Sequence, residues 1–339
     1  MTRVSGTGLW PGSDALEAAS VVVGDLVDLP DGVVGLPFVP TLPARGPWGD
    51  RVGTAAGVLV ELPVELGPHG WKLADRPGSD LGRVQAYARE DLDALAVAAH
   101  GYAGPLVLPV LGPLTLAASV YLARGDRVLS DTGAVRELAE SFAAGLAERL
   151  LALRRAVPGA SVQVLLHEPL LAQVLAGVLP TFSGYAALRR VAVPDAAERL
   201  AVAVSGARAG GAGVVAVHGG TAWSSLAALR STGADAFGLA VAGLDEPGWE
   251  RVAEAVEGGM RLWAEVPSQA SSQCAGPDVV GQADVLTRPW SSLGLPAAGL
   301  ADVVVLAGDP PAQASPDDAR AALAGAVRCA RLVIERSDA

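Results

Sequence analysis

Lysine is nearly absent from this sequence: Lys72 is the only one among 25 basic residues. A phosphate-binding P-loop needs a lysine directly after glycine, and a Schiff-base enzyme needs a lysine amine. Lys72 sits in neither setting, so both classes drop out. Cysteine is almost as scarce. Cys274 and Cys329 lie far apart and form no CxxC, which excludes a disulfide framework and fits a reducing, cytoplasmic setting. No GxGxxG opens a helix after the first strand, and no GxSxG or HExxH occurs. No basic stripe appears, and the formal net charge of −11 speaks against nucleic acid. The opening "MTRVSGTGLWPG" lacks a charged segment followed by an apolar one, so no signal peptide is expected. Apolar runs are broken by Gly, Pro or charge before they reach bilayer length, so no membrane partner is expected.

What the sequence does have is apolar material: 51% of its 339 residues are hydrophobic, enough for a large core. Short apolar runs alternate with helical patterns. Expected strands are Val4–Thr7, Trp71–Ala74, Leu106–Val110, Val162–Leu166, Val214–His218, Ala236–Ala240, Leu262–Val266 and Asp302–Leu306. Helices are expected at Ser13–Val22, Leu81–His100, Thr115–Arg124, Asp131–Ala156, Pro169–Val178, Pro194–Ala207, Trp223–Ser231, Pro247–Glu257 and Pro316–Arg336. Asp131 and Ser315 read as N-caps. Eight strands, each followed by helical sequence, predict an α/β fold, a single (β/α)8 TIM barrel in one domain over 1–339. An irregular Pro/Gly-rich insertion, Gly24–Gly70, follows the first helix, and a long loop of this kind is usually functional.

In such a barrel the active site lies at the C-terminal ends of the strands. His167 and His218 end adjacent strands and are the candidate catalytic residues. A buried, singly hydrogen-bonded imidazole is the competing reading for His218. Glu168 either faces the site or caps the helix that starts at Pro169, where the helix dipole favours a carboxylate. Thr115 caps a helix or, with Gly112, lets backbone approach a ligand. Glu265 ends a strand and either faces the mouth or caps a helix. Gly8 and Trp10 follow the first strand. Gly8, Trp10, Gly112, Thr115, Glu168 and Glu265 together are the candidate substrate contacts. In "LPARGPWGD", Leu42–Asp50, Arg45 is a candidate anion clamp, or the loop is a proline-stiffened surface segment. Cys274 lies in a Ser/Gln-rich loop, and Cys329 reads as core.

Taken in order, "SGTGLWPGSD", "LPARGPWGD", "GWKLADRPGSDL", "GPLTLAAS", "LLHEPLLAQVLAG", "VVAVHGG", "STGADA" and "LADVVVLAGDPPAQASP" resemble the C-terminal catalytic barrel of cobalamin-independent methionine synthase. They resemble still more its short, single-barrel actinobacterial relatives, over nearly the whole chain. Uroporphyrinogen decarboxylases belong to the same superfamily. The resemblance implies a methyl transfer from a reduced folate, or another methyl donor, to the thiol of homocysteine. It also implies zinc, held by a histidine, two cysteines and a glutamate, which keeps the substrate sulfur as thiolate.

Carried over residue by residue, the ligand set is degenerate. His218 matches the histidine. Gly220 stands where the first cysteine would be, Ala240 falls at or near the glutamate, and Asp309 aligns with the second cysteine. Thr7-Gly8-Leu9 stands for the family's Ile-Gly-Ser, and His167-Glu168-Pro169 for its Asp-Glu-Pro. Three readings follow. The first is a methionine-synthase-like methyltransferase with an altered or lost zinc site. The second is a non-catalytic barrel that binds a small molecule. The third is a decarboxylase-like enzyme. A separate possibility is a replacement metal site built from His167, His218 and Asp309.

Overall fold

The computed structural model describes residues 1–268 and 278–337. Eight strands run parallel in one sheet: β1 (Thr2–Gly6), β2 (Val33–Gly35), β5 (Pro105–Leu111), β6 (Ser161–His167), β7 (Val214–His218), β8 (Ala236–Ala240), β9 (Arg261–Val266) and β10 (Val304–Ala307). Their order is β2-β1-β10-β9-β8-β7-β6-β5, with helices between successive strands. A separate antiparallel hairpin pairs β3 (Val64–Gly67) with β4 (Gly70–Leu73). The seam between β2 and β5 is joined just past β2. Val107 donates to the carbonyl of Pro37 at 2.8 Å and accepts from the amide of Val39 at 2.9 Å. The result is a (β/α)8 barrel.

The strands form because both of their faces are buried. Val215, Ala216 and Val217 of β7 are fully enclosed, as are Val164, Leu165 and Leu166 of β6. Continuous apolar runs of this sort suit a parallel sheet covered by helices. Register carries the chemistry to one end: His167 pairs with His218 across β6 and β7, and Ala240 pairs with Glu265 across β8 and β9.

Expected and observed elements agree closely over β7 and β8 and differ in three places. The second barrel strand is Val33–Gly35, inside the irregular insertion, whereas Trp71–Ala74 contributes to the β3–β4 hairpin. The helix expected over Thr115–Arg124 spans only Pro113–Ser119, because Tyr121 turns back to pair with Arg127 and Lys72. A further helix, Val279–Ser292, buries Ala283, Leu286 and Trp290 and is capped by Asp278. The two N-caps hold: Asp131 accepts from the amide of Ala134 at 2.9 Å, and Ser315 exchanges hydrogen bonds with Asp318. Cys329 is a core residue, and burial pushes its thiol up to about 12. No helix among the described residues is long and apolar enough to cross a membrane.

The Pro/Gly-rich insertion is tied down rather than loose. Arg45 donates to Glu90, Asp91 and the carbonyl of Ser13, each at 2.8 Å, and stacks over Tyr87. Trp48 donates to Asp80 at 2.9 Å and lies against Arg83. Of the two readings for this loop, the hydrogen bonds support the proline-stiffened segment, with the Arg45 guanidinium engaged as an anchor. All its bonding partners belong to the helix at Ser79–Ala98 and to the segment before the first helix. With this anchoring in place, the short helix Arg51–Ala56 is held at the edge of the barrel mouth.

Candidate active site

Three side chains converge at the ends of β6, β7 and β9. His167 and His218 are almost fully buried, and their rings lie 5.4 Å apart, tilted by 49°. The Nδ1 atom of His218 accepts a hydrogen bond from the amide of Gly220 at 3.2 Å. A backbone N–H can only donate, so Nδ1 carries no proton and the ring's single proton sits on Nε2. This Nε2 lies 3.1 Å from Oε2 of Glu265 but has no aligned hydrogen-bond partner. Nε2 of His167 is likewise buried and unpartnered. Buried polar atoms without partners are rare and call for an explanation. Here two of them occur on neighbouring strands at the end of a barrel where ligands bind.

A second cluster, beside His167, is built by Thr7, Arg51 and Asp309. Arg51 grips Asp309 with two hydrogen bonds of 2.6 and 2.7 Å and also donates to the carbonyl of Thr7 at 2.8 Å. The hydroxyl of Thr7 donates to Asp309 at 2.5 Å. A planar guanidinium suits such a fork. Burial holds His167 well below its ordinary pKa of 6.5, with Arg51 and His218 adding to the effect and the Thr7 backbone opposing it. The imidazole of His167 is therefore uncharged at neutral pH. Replacing Arg51 with methionine is expected to raise the His167 pKa, because a nearby positive charge is removed while the burial remains. Histidine ring shifts followed by NMR across a pH series would show this. An unchanged or lowered value would contradict the placement of Arg51.

Several expected substrate contacts have other employment. Glu168 is fully buried and caps a helix, though not the one that follows it. Its carboxylate accepts from the amides of Leu114 and Thr115 at 2.9 and 2.6 Å and from the Thr115 hydroxyl at 2.6 Å. It thus fastens the end of β6 to the helix after β5. Burial raises its pKa from 4.5 to about 7 against the lowering effect of these three donors. Thr115 is consumed by this network, and Gly112 is there because any Cβ would collide with the Glu168 carboxylate. Gly8, at a φ of 107°, leaves room for the ring of Pro109. Trp10 is only 3% exposed and packs beside Phe38 in the core. The polar groups of Glu168 and Thr115 are engaged within the fold, whereas the Nε2 atoms of His167 and His218 are buried without partners and the Glu265 side chain is 24% exposed.

The donor set does not fit zinc. A histidine ligand needs a free ring lone pair, with its other nitrogen donating outward. His218 shows the reverse: the Nδ1 lone pair is taken by Gly220, and Nε2 bears the proton. Gly220 offers no side chain, Ala240 none that ligates, and Asp309 is neutralised by Arg51. In the alternative set of His167, His218 and Asp309, His218 and Asp309 meet the same obstacles, which leaves His167 alone. Among the described residues, no group of three or more His, Cys, Asp or Glu is placed to hold a metal ion. Cys274 lies outside the described residues.

Arg51 escaped the sequence reading, which considered only Arg45 as an anion clamp. Its role depends on Asp309, 258 positions away in the chain. The one local signal was Asp50, whose carboxylate caps the helix and thereby fixes Arg51 at its first position.

Comparison with known proteins places the fold. No family model matches the sequence, and no curated protein matches it. Among solved structures, it is similar to a B12-independent methionine synthase from Shewanella sp. W3-18-1, in complex with selenomethionine. Identity is 13%, the TM-score is 0.60, and the match covers 98% of this chain and 97% of that one. A 2,3-dimethylmalate lyase of the PEP mutase/isocitrate lyase superfamily matches at 14% identity and a TM-score of 0.35, covering 89% of this chain and 75% of the other. What is common to this chain and the methionine synthase is the fold: a methionine-synthase-like barrel.

Proposed function

We propose that this chain is a methionine-synthase-like barrel that binds a small molecule at its mouth without zinc. The carrying observation is the pair of buried, unpartnered Nε2 atoms on His167 and His218, facing a rim of Glu265, Arg51 and Asp309. Empty hydrogen-bonding capacity of this kind is costly in a protein interior and is met when a polar ligand arrives. The likeness to a barrel solved with selenomethionine supports a ligand of amino-acid size. A thiol or a folate-like methyl donor is the ligand that the motif resemblance suggests. Zinc-activated thiolate chemistry has no support among the described residues. A decarboxylase-like clamp of several arginines has none either, since Arg45 is committed elsewhere and Arg51 to Asp309.

The test pairs activity with binding. Purified protein is incubated with methyltetrahydrofolate and homocysteine, and methionine is measured. In parallel, thermal unfolding is followed with homocysteine, methionine and folate added singly. The expected result is no methionine above the level given by His218→Ala. At least one ligand should raise the midpoint in the parent protein but not in that variant. Methionine production that depends on added zinc would overturn the proposal.

A further inference from the structure

A site that holds no metal still has chemistry available if it places a base beside a proton donor. The described mouth offers no thiol and no lysine, and Asp309 is held by Arg51, so its uncommitted reactive groups are the two imidazoles and Glu265. The Gly220 amide determines what His218 can do. With Nδ1 occupied as an acceptor, the ring presents Nε2–H and behaves as a hydrogen-bond donor toward the mouth. Glu265 stands beside it, with Oε2 3.1 Å from Nε2, and its side chain is 24% exposed. The pair is not aligned as a closed hydrogen bond, and Nε2 remains without a partner. A donor and a carboxylate at the same spot, each with capacity to spare, are what proton removal from carbon requires: a base for the proton and a donor for the oxygen that becomes negative.

We infer that Glu265 and His218 form a metal-free acid–base pair that removes a proton from the carbon next to a carbonyl group of a small bound ligand. The inference rests on the small-molecule reading of the mouth and adds a reaction to it. Glu265 takes the proton as the C–H bond breaks. The bonding pair forms the new C=C bond, and the carbonyl π pair moves onto oxygen. Nε2–H of His218 donates to that enolate oxygen, which fills the vacancy at the ring. Return of the proton from Glu265 to carbon completes the cycle, and no oxidant or co-reactant is consumed. Partial exposure of Glu265 lets the captured proton exchange with water before it returns.

His167 suits this role as a neighbour. Its uncharged ring lies beside His218 and adds no cation that would pair with Glu265 and quench the base. Gly220 is the positioning residue, since it acts only through the tautomer of His218. The ligand class is a small ketone or 2-oxo acid with a hydrogen on the adjacent carbon.

The experiment uses the intact protein in D2O with pyruvate, 2-oxobutyrate and dihydroxyacetone as probes. Proton NMR follows loss of the signal from the carbon next to the carbonyl. For at least one probe, exchange is expected at least about 100-fold faster than with Glu265→Gln, the scale of a positioned general base. Thermal unfolding of the variant checks that it is folded, and ligand-observed NMR checks that it still binds. Independently, 15N spectra of the histidine rings should show the His218 proton on Nε2. A probe that binds the parent protein but exchanges no faster than with Glu265→Gln overturns the inference and leaves the binding proposal standing. A proton found on Nδ1 of His218 also overturns it. Binding of a thiol or folate with none of the three probes bound overturns the inference alone, and failure of thiols, folates and all three probes to bind overturns both.

Discussion

Replacing Glu168 with alanine is expected to destabilise the fold by about 3–5 kcal/mol at neutral pH, the range for truncating one side of a buried charged network. The loss has two sources. The amides of Leu114 and Thr115 are left buried without acceptors, and the vacated volume lies beneath Gly112, which has no side chain to fill it. The pH dependence distinguishes this residue from an ordinary surface carboxylate. Its pKa is raised in the fold, from 4.5 to about 7. The native state therefore holds a proton that the unfolded chain has released between these values. Stability falls as pH climbs from about 4.5 to about 7 and levels off above, by a few kcal/mol for a shift of this size. Glu168→Gln, which cannot ionise, should flatten that slope while also costing stability, because its amide NH2 faces donors. Urea unfolding at pH 5, 6, 7 and 8 for parent and variant measures both effects. A slope unchanged by the substitution would remove Glu168 from this role.

Restoring a cysteine at position 220 is expected to fail as a repair of the metal site. Gly220→Cys should leave zinc below one equivalent per chain and cost about 1–3 kcal/mol of stability, the range for a non-glycine residue forced into left-handed backbone. Gly220 has a φ of 78°, and a Cβ there would sit 3.2 Å from both Cα and the carbonyl oxygen of Pro169. Relaxing that strain would turn the amide away from Nδ1 of His218 and disturb the bond from Ala240 to the Gly220 carbonyl, 3.0 Å long. Zinc content after dialysis, with urea unfolding alongside, gives the answer. A stoichiometric, tightly held zinc in the single variant would show that the backbone at this turn is freer than its geometry indicates.

The parts legible in the sequence are those that local chemistry determines. "VVAVH" and "AFGLA" are short β-branched or apolar runs between glycines and polar residues, and both strands end where the pattern ends. β2 was illegible because three residues carry too little pattern to compete with the prolines and glycines around them. Its identity comes from pairing with β1, which is a long-range fact. The helix at Val279–Ser292 did leave a signal, an Asp cap followed by Ala283, Leu286 and Trp290 at helical spacing, with Pro289 obscuring it. At the site, the positions of His167, His218 and Glu265 at strand ends were readable. Their hydrogen-bonding states were not. The tautomer of His218 depends on the backbone turn at Gly220, and the capping target of Glu168 lies more than 50 positions away.

The barrel's closure has a consequence for how it moves. Five of its eight junctions are ladders of four or more paired residues, whereas the β2–β5 seam is joined through the single residue Val107.

 The two remaining junctions, β1–β2 and β7–β8, add three residue pairs each. Cooperative opening starts where the fewest bonds must break, so the amides of Val39 and Val107 mark the place where solvent first gains the interior. Arg51 follows that seam in the chain and reaches across the mouth to Asp309, beyond the last strand. One ion pair therefore ties the segment that follows β2 to the residues just beyond β10. The chain beyond the weakest joint is thus anchored by the carboxylate that stands where the resemblance would put a metal-binding thiol.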